Sequence, residues 1–283
     1  MIKYSTYPLP LVSVCIPTYN ASATILDTLS CVINQTYTNL EIIICDNCSN
    51  DDTVSLIENV SDHRIKLSVN PENFGMVGNF NIVLSKTSGK YVKLLCADDI
   101  ISPDCIEKQV KVFLENPDQH IVMVAAEKHV INQKGDFLFR KKFPGKTGIY
   151  PGMQALRKSF RYGTNIFGEP GAILFLNKAI QKAGDIQISP HLTYVVDLQL
   201  YAQVLKQGNL FVLKEFLFSF RLTSTSYSAH SKWKPAIVFN QLRKKYSKEN
   251  FIKFSLFDKL SAFIMSWTLC VFRYAIFKIS NKK

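Results

Sequence analysis

Residues 90–101 read KYVKLLCADDII, an apolar segment (Tyr91, Val92, Leu94, Leu95) that runs straight into two adjacent carboxylates, Asp98 and Asp99. Nothing else in the chain restricts its fold as much. A short apolar run ending in acids is a buried strand whose tip lies at the mouth of a sheet, where open α/β folds bind ligands. Neighbouring carboxylates repel each other unless a cation stands between them and a ligand. Phosphate oxygens with a divalent ion meet that requirement. The same residues also fit a solvated strand-to-helix turn, with Asp99 or Ser102 capping the helix that Pro103 opens.

Similar runs precede this one. Leu11–Ile16 is short and β-branched, is stopped by Pro17, and leads into the polar loop Thr18-Tyr19-Asn20. Ile25, Leu26, Leu29, Val32 and Ile33 recur at helical spacing, which predicts a helix over 22–35. Glu41–Cys45 is a second buried strand, ending in an acid-rich loop over 46–53. Residues 64–69 alternate like a strand, 70–75 form a loop by composition, and 76–84 are helical, with Gly89 marking the end. A helix follows Pro103, and Ile121–Ala125 is one more strand. Strands alternating with helices predict an α/β fold, a mostly parallel sheet flanked by helices. The loops at 18–20, 46–47 and 98–99 then leave one edge and converge on one ligand. After residue 126 the spacing loosens. It predicts a hairpin around Gln133-Lys134-Gly135, a helix over 151–162, a turn and strand over 168–175, and a helix over 194–205 carrying Asp197. Residues 210–220 are apolar, and 221–231 read as a polar linker or loop.

The net charge of +12 invites acidic partners, but its location narrows the choice. From Lys232 onward twelve bases face only Glu249 and Asp258, so this tail carries +10 of the excess. Nucleic-acid binders spread bases among aromatics over a folded face, so no nucleic-acid partner is expected. Residues 251–279 mix bulky apolar groups with spaced bases, and the uncharged run 260–272 is shorter than the roughly 20 residues of a spanning helix. Two readings stay open. One is peripheral membrane contact through 243–283, with lysines and arginines snorkelling; the other is a helix pair docked on the body. Seven cysteines, an odd number with no apolar leader before them, predict free thiols in a reducing compartment. The Cys45/Cys48 pair lacks the second pair of ligands that zinc requires. A dinucleotide-binding dehydrogenase is disfavoured because no GxGxxG follows the first strand. A sugar nucleotidyltransferase would want a glycine- and base-rich triphosphate loop, and 16–23 has neither residue type.

Taken in order, VSVCIPTYN (12–20), EIIICDNCSNDDT (41–53), NPENFGMVGNFNIVLSKTSGKYVKLLCADDI (70–100), GEP (168–170) and VVDLQL (195–200) resemble the family 2 glycosyltransferases. The resemblance implies the GT-A fold, a Rossmann-like and mostly parallel sheet with a C-terminal helical tail. It also implies inverting transfer of a sugar from a nucleotide diphosphate sugar, UDP by default, to a saccharide or lipid-linked acceptor. Residues 1–125 would hold the nucleotide sugar, 126–225 the acceptor, and 226–283 would form the tail. In the family's pattern Asp99 matches the metal contact, for Mn²⁺ or Mg²⁺, and Asp98 the residue that contacts the ribose or shares the ion. Asp46 matches the acid that accepts from the nucleobase, Pro17, Thr18 and Tyr19 its wall, and Asn73 and Gly75 the neighbouring loop. Asp197 matches the general base, and Glu169 the acceptor side. Departures stand at Asn47 and Cys96, where relatives carry acids, and at Cys48, where they carry glycine. The expected location is cytoplasmic, peripheral at the inner face of the cell membrane. A nucleotide-sugar-binding partner without turnover is the remaining alternative.

Overall fold

The computed structural model describes residues 8–187, 190–222 and 233–280. In chain order the first half holds β1 (Val12–Thr18), α1 (Ile25–Ile33), β2 (Leu40–Asp46), α2 (Thr53–Glu58), β3 (Ile65–Val69), α3 (Gly75–Ser85), β4 (Tyr91–Leu94), β5 (Ile100–Ile101) and α4 (Cys105–Glu115). The second half holds β6 (Ile121–Ile131), β7 (Phe137–Lys141), β8 (Gly148–Pro151), α5 (Gly152–Arg161), β9 (Ile173–Leu176), α6 (Asn177–Ala183), α7 (Val196–Leu205), β10 (Asn209–Arg221), α8 (Lys234–Lys248) and α9 (Leu256–Ser280).

One sheet runs through the body in the order β3-β2-β1-β4-β9-β6-β10-β5, with β7 paired to β6 and β8 to β10. The β3-β2-β1-β4 half is parallel, as is the β6/β10 pair, whereas β9 runs antiparallel between β4 and β6. The near-continuous burial of β1 and β2 follows from this arrangement, because parallel strands are covered on both faces and read as unbroken apolar runs.

Two charged residues inside the fold are fully used. Lys93, with no exposed surface, donates to Gln109 Oε1 at 2.8 Å and so ties β4 to α4; burial lowers its pKa. Glu41 accepts from Ser13 and Ser88 and pairs with Lys66. Burial would raise its pKa, but these donors win and hold it at about 2. Gly89 lies beyond the end of α3. A Cβ there would come within 2.7 Å of the Ser13 backbone nitrogen, so glycine is needed for close approach to β1.

The expected hairpin, the helix after Pro151 and the Asp197 helix are present as β6/β7, α5 and α7. Three expectations need correction. The strand expected over Ile121–Ala125 continues to Ile131, so the 125/126 line between the two halves falls inside β6. Arg221 ends β10 instead of opening a linker, and residues 223–231 of that expected linker lie outside the described residues. Neither Asp99 nor Ser102 caps α4, whose first turn follows Asp104.

The tail packs on the body and still leaves an apolar face outside. Asp258, Ala262, Ser266 and Cys270 of α9 are buried, and Asp258 pairs with Arg157 and Arg161 of α5. Burial opposes ionisation of Asp258, yet the two arginines and Ser255 depress its pKa strongly. On the opposite side of α9, Leu256, Leu260, Phe263, Ile264 and Val271 are each more than half exposed. No helix among the described residues is long and apolar enough to cross a membrane.

Candidate active site

Parallel pairing puts the tips of β2, β1 and β4 side by side at one edge, with Thr18 beside Asp46 and Cys15 beside Leu94. The loops that follow are stitched together. Asn47 N donates to Thr18 O at 2.9 Å, Asn20 N to Ser49 Oγ at 2.8 Å, and Thr24 Oγ1 to Ala97 O at 2.9 Å. Loops 18–20, 46–47 and 98–99 therefore share one corner of the sheet.

Asp46 is fully buried and accepts from Thr18 Oγ1 (2.9 Å), Ser49 N (2.8 Å) and Ser49 Oγ (2.5 Å). Those three donors leave little beyond one acceptor position on Oδ1. Thr18 is buried under it, Pro17 is half-buried and Tyr19 is exposed. Asn47 organises the next loop. Its Nδ2 donates to Asn73 Oδ1 at 2.6 Å, and its Oδ1 accepts from Asn70 Nδ2 and Phe74 N. Asn79 closes the set, donating to Cys45 O at 2.9 Å and accepting from Asn70. Asn73 and Gly75 are exposed at the rim of this amide network, and Gly75 takes a φ of 71° to open α3. Cys48, where relatives carry glycine, has a φ of 64°, a conformation costly for a residue with a Cβ.

The acid pair is backed by Arg221. Asp99 Oδ1 accepts from Arg221 N at 3.0 Å, and the Arg221 guanidinium donates to Asp98 O, Gln133 O and Asp27 Oδ2. With 3% of its side chain exposed, Arg221 is a fixed bracket under the acids and not a side chain that folds over a ligand. Burial raises the pKa of both acids, and for Asp99 the charge of Asp98 raises it further. One ligating atom each of Cys96, Asp98 and Asp99 lies within 4.8 Å of the others. Two carboxylates that resist ionisation until a cation arrives fit Mg²⁺ or Mn²⁺; the Cys96 thiol is a softer donor, and burial pushes its pKa up. Neither Cys45 nor Cys48 belongs to this cluster, and no disulfide joins any cysteine.

Asp197 and Glu169 complete the cluster. Asp197 is at the N-terminal end of α7, where Asn165 Nδ2 donates to its Oδ2 at 2.6 Å and Leu198 N to its Oδ1 at 2.7 Å. Burial outweighs both donors, and with the nearby Glu169 charge it lifts the pKa to about 6. Glu169 forms a short ion pair with Lys128 of β6. Burial would raise its pKa, but Lys128 and Lys141 hold it below the usual range. Tyr201 anchors the preceding turn by donating to Gly168 O at 3.1 Å. Sequence reasoning missed Asn165, Lys128 and the hub role of Asn47. The one available signal was the charged pair Glu127-Lys128 interrupting an apolar strand.

A set of converging loops, an acid pair fit for a divalent ion and a carboxylate with a raised pKa are now in view. Residues 13–184 match the profile of the glycosyl transferase family 2. The chain belongs to that family. Membership makes it a glycosyltransferase, and relatives agree. It is 32% identical over 249 residues to an uncharacterized glycosyltransferase of Haemophilus influenzae, covering 85% of this chain and 73% of that protein. It is 40% identical over 106 residues to a UDP-Glc:alpha-D-GlcNAc-diphosphoundecaprenol beta-1,3-glucosyltransferase of Escherichia coli, a match spanning 38% of this chain and 42% of the other. In fold it resembles residues 1–349 of S. aureus TarS in complex with UDP-GlcNAc, with a TM-score of 0.68, 16% identity, and 90% and 71% of the two chains covered. It also resembles a Pyrobaculum calidifontis mannosyltransferase in complex with GDP-Man and Mn²⁺, with a TM-score of 0.62, 18% identity, and 98% and 76% covered. The glycosyltransferase thus has the GT-A fold, with a helical region added at its C-terminal end.

Proposed function

We propose that this glycosyltransferase moves a sugar, with inversion, from a UDP-sugar to a hydroxyl of a lipid-linked saccharide. The observation that carries the reading is Asp197, a carboxylate held near a pKa of 6, in electrostatic range of Glu169 and of Cys96 beside the acid pair. A general base with that pKa is ionised at neutral pH and still basic enough to take a proton from an attacking hydroxyl. The names of relatives that use UDP-Glc and a diphosphoundecaprenol acceptor support the donor and acceptor class.

In this reading Asp46 accepts from the nucleobase, Pro17, Thr18 and Tyr19 form the wall beside it, and Asn73 and Gly75 close the rim. Asp98 holds the ribose or shares the ion, and Asp99 holds the ion. A bound Mn²⁺ or Mg²⁺ supplies charge neutralisation to the departing diphosphate. Asp197 takes the proton from the acceptor hydroxyl as its oxygen attacks the anomeric carbon opposite the leaving group. Asn165 keeps the carboxylate aimed, and Glu169, fixed by Lys128, lines the acceptor side. The exposed apolar stripe of α9 rests on the cytoplasmic face of the membrane, where such acceptors reside. The test is turnover of UDP-sugars with Mn²⁺ and a sugar-diphosphate-lipid acceptor. Wild type should transfer, whereas Asp99→Ala and Asp197→Asn should not; full activity in Asp197→Asn would remove it as the base.

A further inference from the structure

A cavity of about 230 Å³ is lined by Asn165 and Lys128, the partners of Asp197 and Glu169. It opens between the middle of β6, the strap at 141–144, the turn at 162–168 and one side of α9. This is below the ~300 Å³ at which small-molecule sites usually begin, a volume suited to a single sugar ring.

Three observations give it a chemistry. First, Glu127 lines it, is 3% exposed, and has an Oε1 without a hydrogen-bond partner. A buried carboxylate oxygen with no donor is costly, and sugar hydroxyls are donors of the right reach. Second, the wall is shared with the reacting end: Asn165 lines the cavity and donates to Asp197, while Lys128 lines it and pairs with Glu169. Third, the rim changes character from one side to the other. Lys141 and Lys142 stand on the strap, Phe143 supplies an aromatic ring, and Met265 and Leu269 of α9 form the far wall. One turn beyond Leu269, Phe272 is 64% exposed, which continues an apolar track out of the cavity.

We propose that this cavity is the acceptor subsite, taking the sugar of a lipid-linked sugar diphosphate, with its diphosphate on the Lys141/Lys142 strap and its lipid leaving along α9. The inference rests on the glycosyl-transfer reading and deepens it. A donor-rich sugar satisfies Glu127, a dianionic linker meets two lysines, and an alkyl chain meets Leu269 and Phe272. An acceptor without the diphosphate would forgo the middle contact.

The test is binding by calorimetry, with UDP and Mn²⁺ present, of N-acetylglucosamine diphosphate on an undecyl chain, compared with the undecyl glycoside lacking the diphosphate. Wild type should bind the diphosphate probe at least 10-fold more tightly. Lys142→Glu, a surface change that leaves packing intact, should erase that preference while UDP affinity holds. Thr164→Trp, which fills the cavity, should weaken both probes, and its melting curve reports whether it folds. Equal binding of the two probes by wild type, or a preference undiminished in Lys142→Glu, would overturn the assignment. Failure of wild type to bind UDP would instead overturn the parent reading, and this one with it.

Discussion

Asn165 Nδ2 lies 2.6 Å from Asp197 Oδ2, the only side-chain donor recorded on that carboxylate among the described residues. Burial raises the pKa of Asp197 to about 6, and Leu198 N and then Asn165 restrain the rise, so this contact orients the carboxylate and helps hold its pKa down. The kcat/KM of the wild type should therefore fall below pH 6, as the carboxylate takes up a proton. In Asn165→Ala the midpoint should move above 6, read from the pH profile; an unmoved midpoint would separate Asn165 from the titration.

The same raised pKa has a stability cost of known sign. A carboxyl whose folded pKa exceeds its unfolded value stabilises the fold at low pH, and that contribution is lost as pH rises from about 4 through 6. Asp197→Asn should thus melt higher than wild type at pH 7.5, by on the order of 1–2 kcal/mol, and equally at pH 4. Its kcat should be down at least ~100-fold. Denaturation at the two pH values checks this.

Without a cation, Asp98 and Asp99 oppose each other in a buried place. Mn²⁺ should raise the melting temperature of wild type and leave Asp99→Ala unmoved, in thermal scans with and without chelator. Before metal is added, Asp99→Asn should be the more stable protein, because one ionisable group has left a site that disfavours charge.

Arg221 donates in three directions from one guanidinium, to Asp98 O, Gln133 O and Asp27. Arg221→Ala should cost about 2–4 kcal/mol in denaturant unfolding, since a buried side chain is lost and two part-buried carbonyls lose their donors. Arg221→Lys should recover little of it, because an ammonium on a flexible stem cannot reproduce the planar fork. Full rescue by lysine would show that charge alone matters there.

Asn47→Asp restores the acid that relatives carry and should nevertheless be harmful here. The amide donates to Asn73 Oδ1 and Gly75 O, and a carboxylate would set acceptor against acceptor. A loss of about 1–3 kcal/mol is expected, together with weaker nucleotide binding by titration.

Much of the fold was legible because parallel strands leave a plain trace. The runs around Val14, Ile43 and Val92 are apolar and short, each followed by polar loop residues. The acid corner was legible for the same reason, Asp46 and Asp98–Asp99 standing at the ends of those runs. Lys93 was not, because a lysine in a strand reads as solvent-facing until Gln109 is known to meet it. The reach of β6 was also hidden: Glu127 and Lys128 look like a break between the strand and the hairpin, and the Glu169 partner 41 residues on is what neutralises the buried Lys128. Asn165 carried no local signal at all, since its role depends on a carboxylate 32 residues away. The tail posed two alternatives; α9 packs on the body through Asp258 and Ala262, while Leu260 and Ile264 stay exposed.

The four-asparagine lattice of Asn47, Asn70, Asn73 and Asn79 contains no group that gains or loses a proton in the biological range. Its shape is therefore indifferent to acidity, whereas Asp98, Asp99 and Asp197 are not. As its surroundings sour, such a protein would keep the frame of its loops while the acids that frame supports fill with protons. Acidification would empty the corner without unmaking it.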